Sequence, residues 1–235
     1  MPLAKLVEAA KREGRTLLTE VESKEMLKEV GIPVTDTRLA RSQEEAISLA
    51  REEGFPAVLK IVSPDITHKS DVGGVKLGLE NIDAVGNAYE EIVRSVIQAQ
   101  PNAKVHGVSV QKMARSGVEV IIGASHDPQF GPILMFGLGG VSVEVLGDVS
   151  FRIIPITQRD AREMVREIKG YPILEGIRGQ AAVSIESIEE ALLKISEYMY
   201  GHPEVKELDL NPIFVYSDGL VAVDARVVLE EEALQ

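Results

Sequence analysis

Four groups of residues in this sequence are of types that could bind phosphate, transfer it or hold an accompanying cation, and the first surrounds His68. The stretch from Ser63 to Val75 reads SPDITHKSDVGGV and combines hydroxyls, a histidine, a lysine and two adjacent glycines before a predicted strand. A neutral imidazole can act as a nucleophile towards phosphorus at physiological pH without a thiolate or a metal. His68 is therefore a candidate phosphoryl acceptor, although a lone histidine in a loop is also typical of an ordinary polar surface residue.

The two adjacent glycines of this stretch, Gly73 and Gly74, could bind phosphate through their backbone. Glycine lets N–H groups close round a phosphate, and Lys69 could add a positive charge. The loop matches neither the P-loop pattern nor the dinucleotide-binding fingerprint, so the glycines alone are a weak indication of phosphate binding.

Lys60 is the second feature, because it stands inside the apolar run Ala57–Val62 (AVLKIV). A lysine among residues that favour burial costs free energy unless its ammonium reaches an anion or water. Lys60 is therefore either a ligand for a bound anion or an edge-strand lysine whose side chain points outward.

The third group consists of oxygen-bearing side chains near the C-terminal end. Asp209 and Asn211 alternate in the segment 207–212 (ELDLNP), and the hairpin that follows could bring Asp224 beside them. Converging carboxylate and amide oxygens, without cysteine or histidine, suit Mg²⁺. An Asn-Pro turn with a strand-end aspartate explains the same residues equally well.

A glycine cluster at 137–140 (GLGG) and the nearby Arg152 complete the candidates. The cluster is either a tight turn or a flap that lets a bulky phosphate group approach the backbone. Arg152 offers a guanidinium for phosphate charge, or a surface salt bridge with Asp148 or Glu144.

Alternating helices and strands must position these residues. Apolar periodicity, caps and turn residues predict helices at Leu3–Arg12, Glu20–Val30, from Ser42 to about Glu53, Ile82–Gln100, Arg159–Lys169 and Ile185–Met199, and strands at Ala57–Val62, Val75–Leu79, Val108–Met113, Val118–Gly123, Ile133–Phe136, Phe151–Ile154, Val205–Leu210, Ile213–Tyr216 and Leu220–Val228. The polar connection after the strand at Val108–Met113 indicates a boundary between two α/β units, residues 1–112 and 113–235.

Composition bounds the function. The 235 residues are 45% hydrophobic and carry a net charge of -12, which disfavours binding to nucleic acid or an anionic membrane. The absence of cysteine excludes a disulfide framework, a thiolate nucleophile and a cysteine metal site. No run approaches the roughly 18 apolar residues of a membrane-spanning helix, and a cytoplasmic location is expected.

Together these motifs resemble the ATP-grasp subunit of the ADP-forming acyl-CoA synthetases, in the branch of the acetate–CoA ligases. The resemblance runs in order through nearly the whole chain. Its motifs are Lys60, THKSDVGGV at 67–75, DPQFGP at 127–132, FGLGG at 136–140, Phe151–Arg152, LEGIRG at 174–179, ELDLNP at 207–212 and VDAR at 223–226.

The resemblance implies an α/β ATP-grasp fold in which two subdomains hold a nucleotide between them. His68 matches a phosphohistidine that takes a phosphoryl group from a histidine of a partner subunit and passes it to ADP. Asn211 and Asp224 match a Mg²⁺ pair, with Asp209 as a third acid. The implied nucleotide-binding residues are Lys60 for the phosphates, the hinge residues Val110, Gln111, Lys112, Met113 and Ala114, Glu119 as a ribose or hinge contact, and Gly73, Gly74 and Arg152.

The resemblance also implies that the chain is one subunit of an acid–thiol ligase. A CoA-binding α subunit would supply the rest of the enzyme, in a heterotetramer with two copies of each chain, with Mg²⁺ as cofactor and ATP or ADP as substrate. Two other functions fit the residues. The chain could be a stand-alone ATP-grasp carboxylate ligase, which needs no phosphohistidine, or a non-catalytic subunit that senses nucleotide.

Overall fold

The computed structural model describes residues 3–66, 68–140, 147–177 and 181–234. In chain order its elements are α1 (Leu3–Glu13), α2 (Glu20–Val30), β1 (Thr37–Ala40), α3 (Gln43–Glu53), β2 (Ala57–Val62), β3 (Val75–Leu79), α4 (Ile82–Ala99), β4 (Gly107–Lys112), β5 (Val118–Asp127), β6 (Gly131–Leu138), β7 (Val149–Ile153), α5 (Gln158–Glu167), α6 (Tyr171–Leu174), α7 (Ile185–Gly201), β8 (Val205–Tyr216), β9 (Gly219–Ala222) and β10 (Arg226–Leu229), followed by a 3₁₀ helix at Glu231–Leu234. Across this part of the chain, no helix has the length and apolar character needed to cross a lipid bilayer.

The chain divides into two compact units, and the smaller comprises Thr19–Glu22 and Thr35–Arg115. Its antiparallel sheet has the strand order β1-β4-β2-β3, and helices α3 and α4 pack against it. Ser42 caps α3, as predicted, by accepting a hydrogen bond from the Glu45 N–H. Strand β2 lies between two other strands, so the edge-strand explanation of Lys60 is wrong.

The larger unit contains Met1–Leu18, Ser23–Val34 and Ser116–Gln235. Its sheet has the order β10-β8-β5-β6-β7, with β9 also paired to β8. Side chains alternate along β8, so Leu208 and Leu210 are buried in the apolar core while Asp209 between them faces the opposite side of the sheet. The core therefore covers one sheet face and leaves polar residues on the other.

This division differs from the predicted units 1–112 and 113–235, because most of the first 34 residues group with the C-terminal half. Buried residues of α1 and α2, among them Leu6 and Met26, belong to the core of the larger unit. The connection after α1 is also tied to β10, since the Leu18 N–H donates to the Val227 carbonyl at 3.0 Å. Such pairing between distant segments leaves no local sequence signal.

The strands near the predicted Mg²⁺ residues also differ from expectation. The predicted strands Val205–Leu210 and Ile213–Tyr216 are the single strand β8, which has a register irregularity opposite β5 between Val120 and Ile122. The Asn-Pro turn is therefore wrong, because Asn211 and Pro212 lie inside a strand. Conversely, the predicted strand Leu220–Val228 is broken into β9 and β10.

Candidate active site

His68 is exposed in the loop that connects β2 to β3. Before it, Ile66 is buried in the core of the smaller unit. After it, the Asp71 N–H donates to the His68 carbonyl at 3.3 Å and the Gly74 N–H donates to the Lys69 carbonyl at 2.7 Å. The imidazole is therefore presented to the surface from a loop that is fastened on both sides.

The glycines Gly73 and Gly74 do not act as the sequence suggested. The Gly73 N–H donates to the Ser70 carbonyl at 3.1 Å, and the Gly74 N–H is bonded to Lys69, so both donors are used within the loop rather than offered to a phosphate. The Gly74 carbonyl accepts from the Ile61 N–H at 2.7 Å. These glycines fasten the His68 loop to β2.

Gly74→Ala is expected to lower the free energy of unfolding by about 1–3 kcal/mol. A Cβ at this position would lie 2.5 Å from Ile61 Cγ2 and 2.8 Å from the Lys69 carbonyl oxygen. Urea denaturation monitored by circular dichroism measures the decrease in the free energy of unfolding. The matched control is Gly201→Ala, where a Cβ meets nothing within 4 Å. Equal stability of the two variants would contradict the close packing at Gly74.

Lys60 is buried in β2 and pairs with a carboxylate. Its Nζ donates to Oε1 of Glu20 at 2.8 Å, and Nζ of Lys69 donates to Oε2 of the same carboxylate at 2.9 Å. The Glu20 side chain is 1% exposed and that of Lys60 6%. Burying the charges of Glu20 and Lys60 is tolerable because each is hydrogen-bonded to an opposite charge, and the partly exposed Lys69 adds a second cation to Glu20.

Glu20 was not among the residues singled out from the sequence. It is the first residue of α2, and Thr19 and Glu22 fix the start of that helix through mutual hydrogen bonds of 2.8 to 3.3 Å. Acidic residues are common in a first helical turn because they complement the helix dipole, so the type alone indicated nothing more. Its partners lie 40 and 49 residues further along the chain.

The predicted hinge residues lie at the end of β4 (Val110–Lys112) and directly after it (Met113 and Ala114). Val110 and Gln111 are fully buried, and the Gln111 side-chain oxygen accepts a hydrogen bond from the Thr37 hydroxyl at 3.0 Å. The Met113 N–H donates to the Pro56 carbonyl at 2.8 Å. This N–H therefore already has a partner within the smaller unit. Two further hinge residues differ in exposure, Lys112 being exposed and Ala114 half-buried.

Glu119 is an exposed residue of β5 beside the glycine cluster. The Gly139 N–H donates to the Glu119 carbonyl at 2.8 Å, and a Cβ on Gly139 would lie 2.9 Å from the Glu119 Cβ. Glycine is needed there because the two backbones approach so closely. Residues 141–146, which follow Gly140 in the sequence, lie outside the described residues.

Arg152 forms a surface salt bridge, but not with the predicted partners. Its Nη2 donates to Glu167 at 2.7 Å. Asp148 instead accepts hydrogen bonds from the backbone N–H groups of Lys169 and Gly170, both at 2.7 Å. Glu144, the other suggested partner, lies outside the described residues, as do Thr67, Arg178 and Gly179 of the motifs named above.

The backbone brings the predicted Mg²⁺ residues to one place. Strand β10 pairs with β8 as far as Asp209, and β9 pairs with β8 from Ile213 onward. Between these two paired regions, β8 carries Asn211 and the opposite segment carries Asp224. The pairing of β8 with β10 and β9 is thus interrupted between Asp209 and Ile213, and interruptions of strand pairing change the direction of side chains and are frequent beside active sites.

The charges at this place favour a bound cation. Burial raises the pKa of the Asp209 carboxyl above its usual value, and the negative charges of Glu207 and Asp224 raise it further, against the opposing effect of Arg226. Arg226 donates to Glu207 at 2.6 Å.

The donor set also fits Mg²⁺, which takes a few protein oxygens and completes its shell with water and phosphate oxygens. The carboxylates of Asp209 and Asp224 and the amide of Asn211 are oxygen donors of the types that could enter such a shell. Across residues 3–66, 68–140, 147–177 and 181–234, no group of three or more His, Cys, Asp or Glu side chains is arranged to hold a metal ion.

A cavity of about 310 Å³ opens beside Asp209 on the polar side of the larger sheet. Its lining combines the carboxylates of Glu207 and Asp209 with the apolar side chains of Met135 and Phe151. The cavity places these two carboxylates beside apolar side chains on the same face of the sheet. Met135 was missed from the sequence, because an apolar residue in a strand normally indicates core.

Residues 9–229 match the protein family described as the ATP-grasp domain. The chain is 50% identical over 224 residues to the protein named acetate–CoA ligase (ADP-forming) I subunit beta of Pyrococcus furiosus, a match that covers 95% of this chain and 96% of that protein.

Two solved structures of acetyl-coenzyme A synthetase 1 from Ca. Korarchaeum cryptofilum are also similar to this chain. One, with coenzyme A, acetyl-coenzyme A and a phosphorylated phosphohistidine segment in the site I orientation, gives a TM-score of 0.90 at 47% identity, over 97% of this chain and 100% of that one. The other, with coenzyme A and Mg-AMPPCP, has its phosphohistidine segment pointing towards the nucleotide-binding site and gives a TM-score of 0.85 at 46% identity, with the same coverage.

These matches confirm the ATP-grasp fold and the family that the sequence motifs implied. The family match spans both compact units, and the β-subunit relative is matched over nearly its full length. This chain belongs to the ATP-grasp family and, within it, to the β subunits of ADP-forming acetate–CoA ligases.

Proposed function

We propose that this chain is the nucleotide-handling β subunit of an ADP-forming acyl-CoA synthetase, an acid–thiol ligase that catalyses acyl-CoA + ADP + Pi = acid + CoA + ATP. In this proposal His68 receives a phosphoryl group from the partner subunit and passes it to ADP. The observation that carries the proposal is the exposed imidazole of His68 in a loop fastened on both sides.

The chemistry at His68 is two successive phosphoryl transfers. A ring nitrogen uses its lone pair to form a P–N bond while the bond from phosphorus to the donor histidine breaks. An oxygen of the ADP β-phosphate then attacks the same phosphorus, and the ring leaves as neutral imidazole. Such transfers require positioning and charge neutralisation more than covalent assistance from the protein. The two orientations of the phosphohistidine segment in the Korarchaeum relative support a relay of this kind.

The remaining residues would bind the nucleotide. Lys60 would contact its phosphates and the backbone of 110–114 its base, with Glu119 nearby. Asn211, Asp224 and Asp209 would hold Mg²⁺, which supplies neutralisation of phosphate charge when bound. Arg152, whose guanidinium is paired with Glu167 in an exposed salt bridge, would add positive charge for the phosphates.

In this proposal a second chain carries out the CoA and acid chemistry of the reaction. The Pyrococcus relative is itself named as a subunit. We propose a CoA-binding α subunit as the partner, in an assembly with two copies of each chain.

Reconstitution with such a partner tests the function. The mixture of both subunits is expected to form ATP from acetyl-CoA, ADP and phosphate, while this chain alone forms none. ATP-dependent ligation of a carboxylate by the isolated chain would instead support a stand-alone ligase. Nucleotide binding without turnover in the reconstituted complex would support a sensing subunit.

Asp224→Asn is expected to raise the Kd for Mg-ADP at least about tenfold, because it removes a negatively charged ligand of the cation. A calorimetric titration of Mg²⁺ at a constant ADP concentration separates loss of cation binding from loss of nucleotide contacts. The control is Asp218→Asn in the turn between β8 and β9, which should leave the affinity unchanged. An unaltered Mg²⁺ requirement in Asp224→Asn would exclude this residue as a ligand.

A further inference from the structure

We propose that Glu20 is a positioning residue for His68: its carboxylate joins the fixed Lys60 to the neighbouring Lys69 and so anchors the His68 loop. This inference rests on the proposed function, since that function gives the position of the imidazole its importance. The contacts themselves are hydrogen bonds of 2.8 and 2.9 Å within the smaller unit.

The two lysines differ in how firmly they are held. Lys60 lies in the middle of β2, where its backbone pairs with both β3 and β4. Lys69 lies in the loop, its side chain 20% exposed, directly after His68. A carboxylate that binds one lysine from a sheet and one from a loop ties the loop to the sheet.

The strength of this tie comes from charge and burial together. Charge-assisted hydrogen bonds are roughly twice as strong as neutral ones, and low exposure protects them from screening by salt. The Glu20 side chain is 1% exposed, and Thr19 and Glu22 fix the start of its helix. Glu20 is thus itself rigid enough to act as an anchor.

The anchor and Ile66 hold the loop on opposite sides of His68. Ile66 is 4% exposed in the core of the smaller unit. In the orientation seen here, restricting both flanks leaves the imidazole fewer positions to sample, which lowers the entropy cost of a transfer made in that orientation. The Lys69–Glu20 pair would have to open before the segment took a second orientation of the kind that the Korarchaeum relative shows. The structure therefore assigns Glu20 a role in a reaction whose reacting atoms it does not touch.

Hydrogen exchange of the full chain tests the anchor without any phosphoryl donor. Glu20→Gln and Lys69→Gln are each expected to speed exchange in the peptide covering residues 63–74 by about tenfold or more, since a charge-assisted hydrogen bond is lost. Exchange in β4 should stay at the wild-type rate. Glu25→Gln is the matched control, because it removes the same charge from the same helix but its carboxylate pairs with Lys28. Lys69→Arg, which keeps the positive charge, should exchange as slowly as the wild type.

Unchanged loop exchange in both Gln variants would overturn the proposal. If Glu20→Gln unfolds, so that β4 also exchanges rapidly, Lys69→Gln decides the question alone. A second readout is the rate of His68 phosphorylation by Mg-ATP, expected to fall about tenfold in Lys69→Gln with an unchanged Kd for Mg-ATP. Wild-type chain that accepts no phosphate at His68 would refute the proposed function and leave the exchange result standing.

Discussion

Replacing His68 with alanine is expected to lower ATP formation by the reconstituted two-subunit enzyme at least about 10³-fold, because the variant lacks the atom to which phosphorus is bonded in the relay. His68 is exposed, so the fold should survive the change. Circular dichroism and urea denaturation would verify this. Binding of Mg-ADP should also persist, since no proposed nucleotide contact is removed.

The matched control is His106→Ala. His106 lies in the same unit and is half-buried, and it contributes its backbone N–H to the Val62 carbonyl at 2.8 Å, a bond that the substitution retains. Its activity should equal that of the wild type. Full turnover in His68→Ala would end the relay hypothesis and favour direct phosphorylation of the acid.

Lys60→Met is expected to lower the free energy of unfolding by about 3 kcal/mol, because it removes one of the two lysines that pair with the buried Glu20 carboxylate. The Lys60–Glu20 distance is 2.8 Å, and neither side chain is more than 6% exposed. Urea denaturation measures the loss. Lys112→Met, at an exposed lysine of the adjacent strand, is the control and should change stability by less than about 0.5 kcal/mol.

The double variant Lys60→Met/Glu20→Gln separates stability from binding. Removing both charges relieves the penalty of a buried carboxylate, so the double variant should be more stable than the sum of the single changes implies. Affinity for Mg-ATP should not recover, because the ammonium that we propose as a phosphate contact is absent. Equal nucleotide affinity in Lys60→Met and wild type would show that Lys60 is purely structural.

Local signals predicted most of the secondary structure. The helix that starts after Ser42 has its cap in the sequence, and the hairpin turn at Ser217–Gly219 has its glycine. These features depend on neighbouring residues, so a single sequence reveals them. Residue type and spacing were also sufficient to identify His68, Lys60 and the three proposed Mg²⁺ ligands as candidate site residues.

Long-range pairing explains what was not predicted. In the sequence, Glu20 is an ordinary acidic residue of a first helical turn, and only the fold brings Lys60 and Lys69 to its carboxylate. The assignment of the first helices to the larger unit likewise depends on contacts such as the bridge between Leu17 and Val228. The Gly74 N–H donates to the Lys69 carbonyl rather than to a phosphate. That bond could not be predicted without the conformation of the loop.

Mass spectrometry of the chain after incubation with Mg-ATP tests the phosphoryl relay most directly. We expect one phosphate on the peptide that contains His68, stable in base and lost in acid, and transferred to ADP when that nucleotide is added. Absence of this phosphate with Mg-ATP and with a phosphorylated partner subunit, or its attachment to a different residue, would contradict the account.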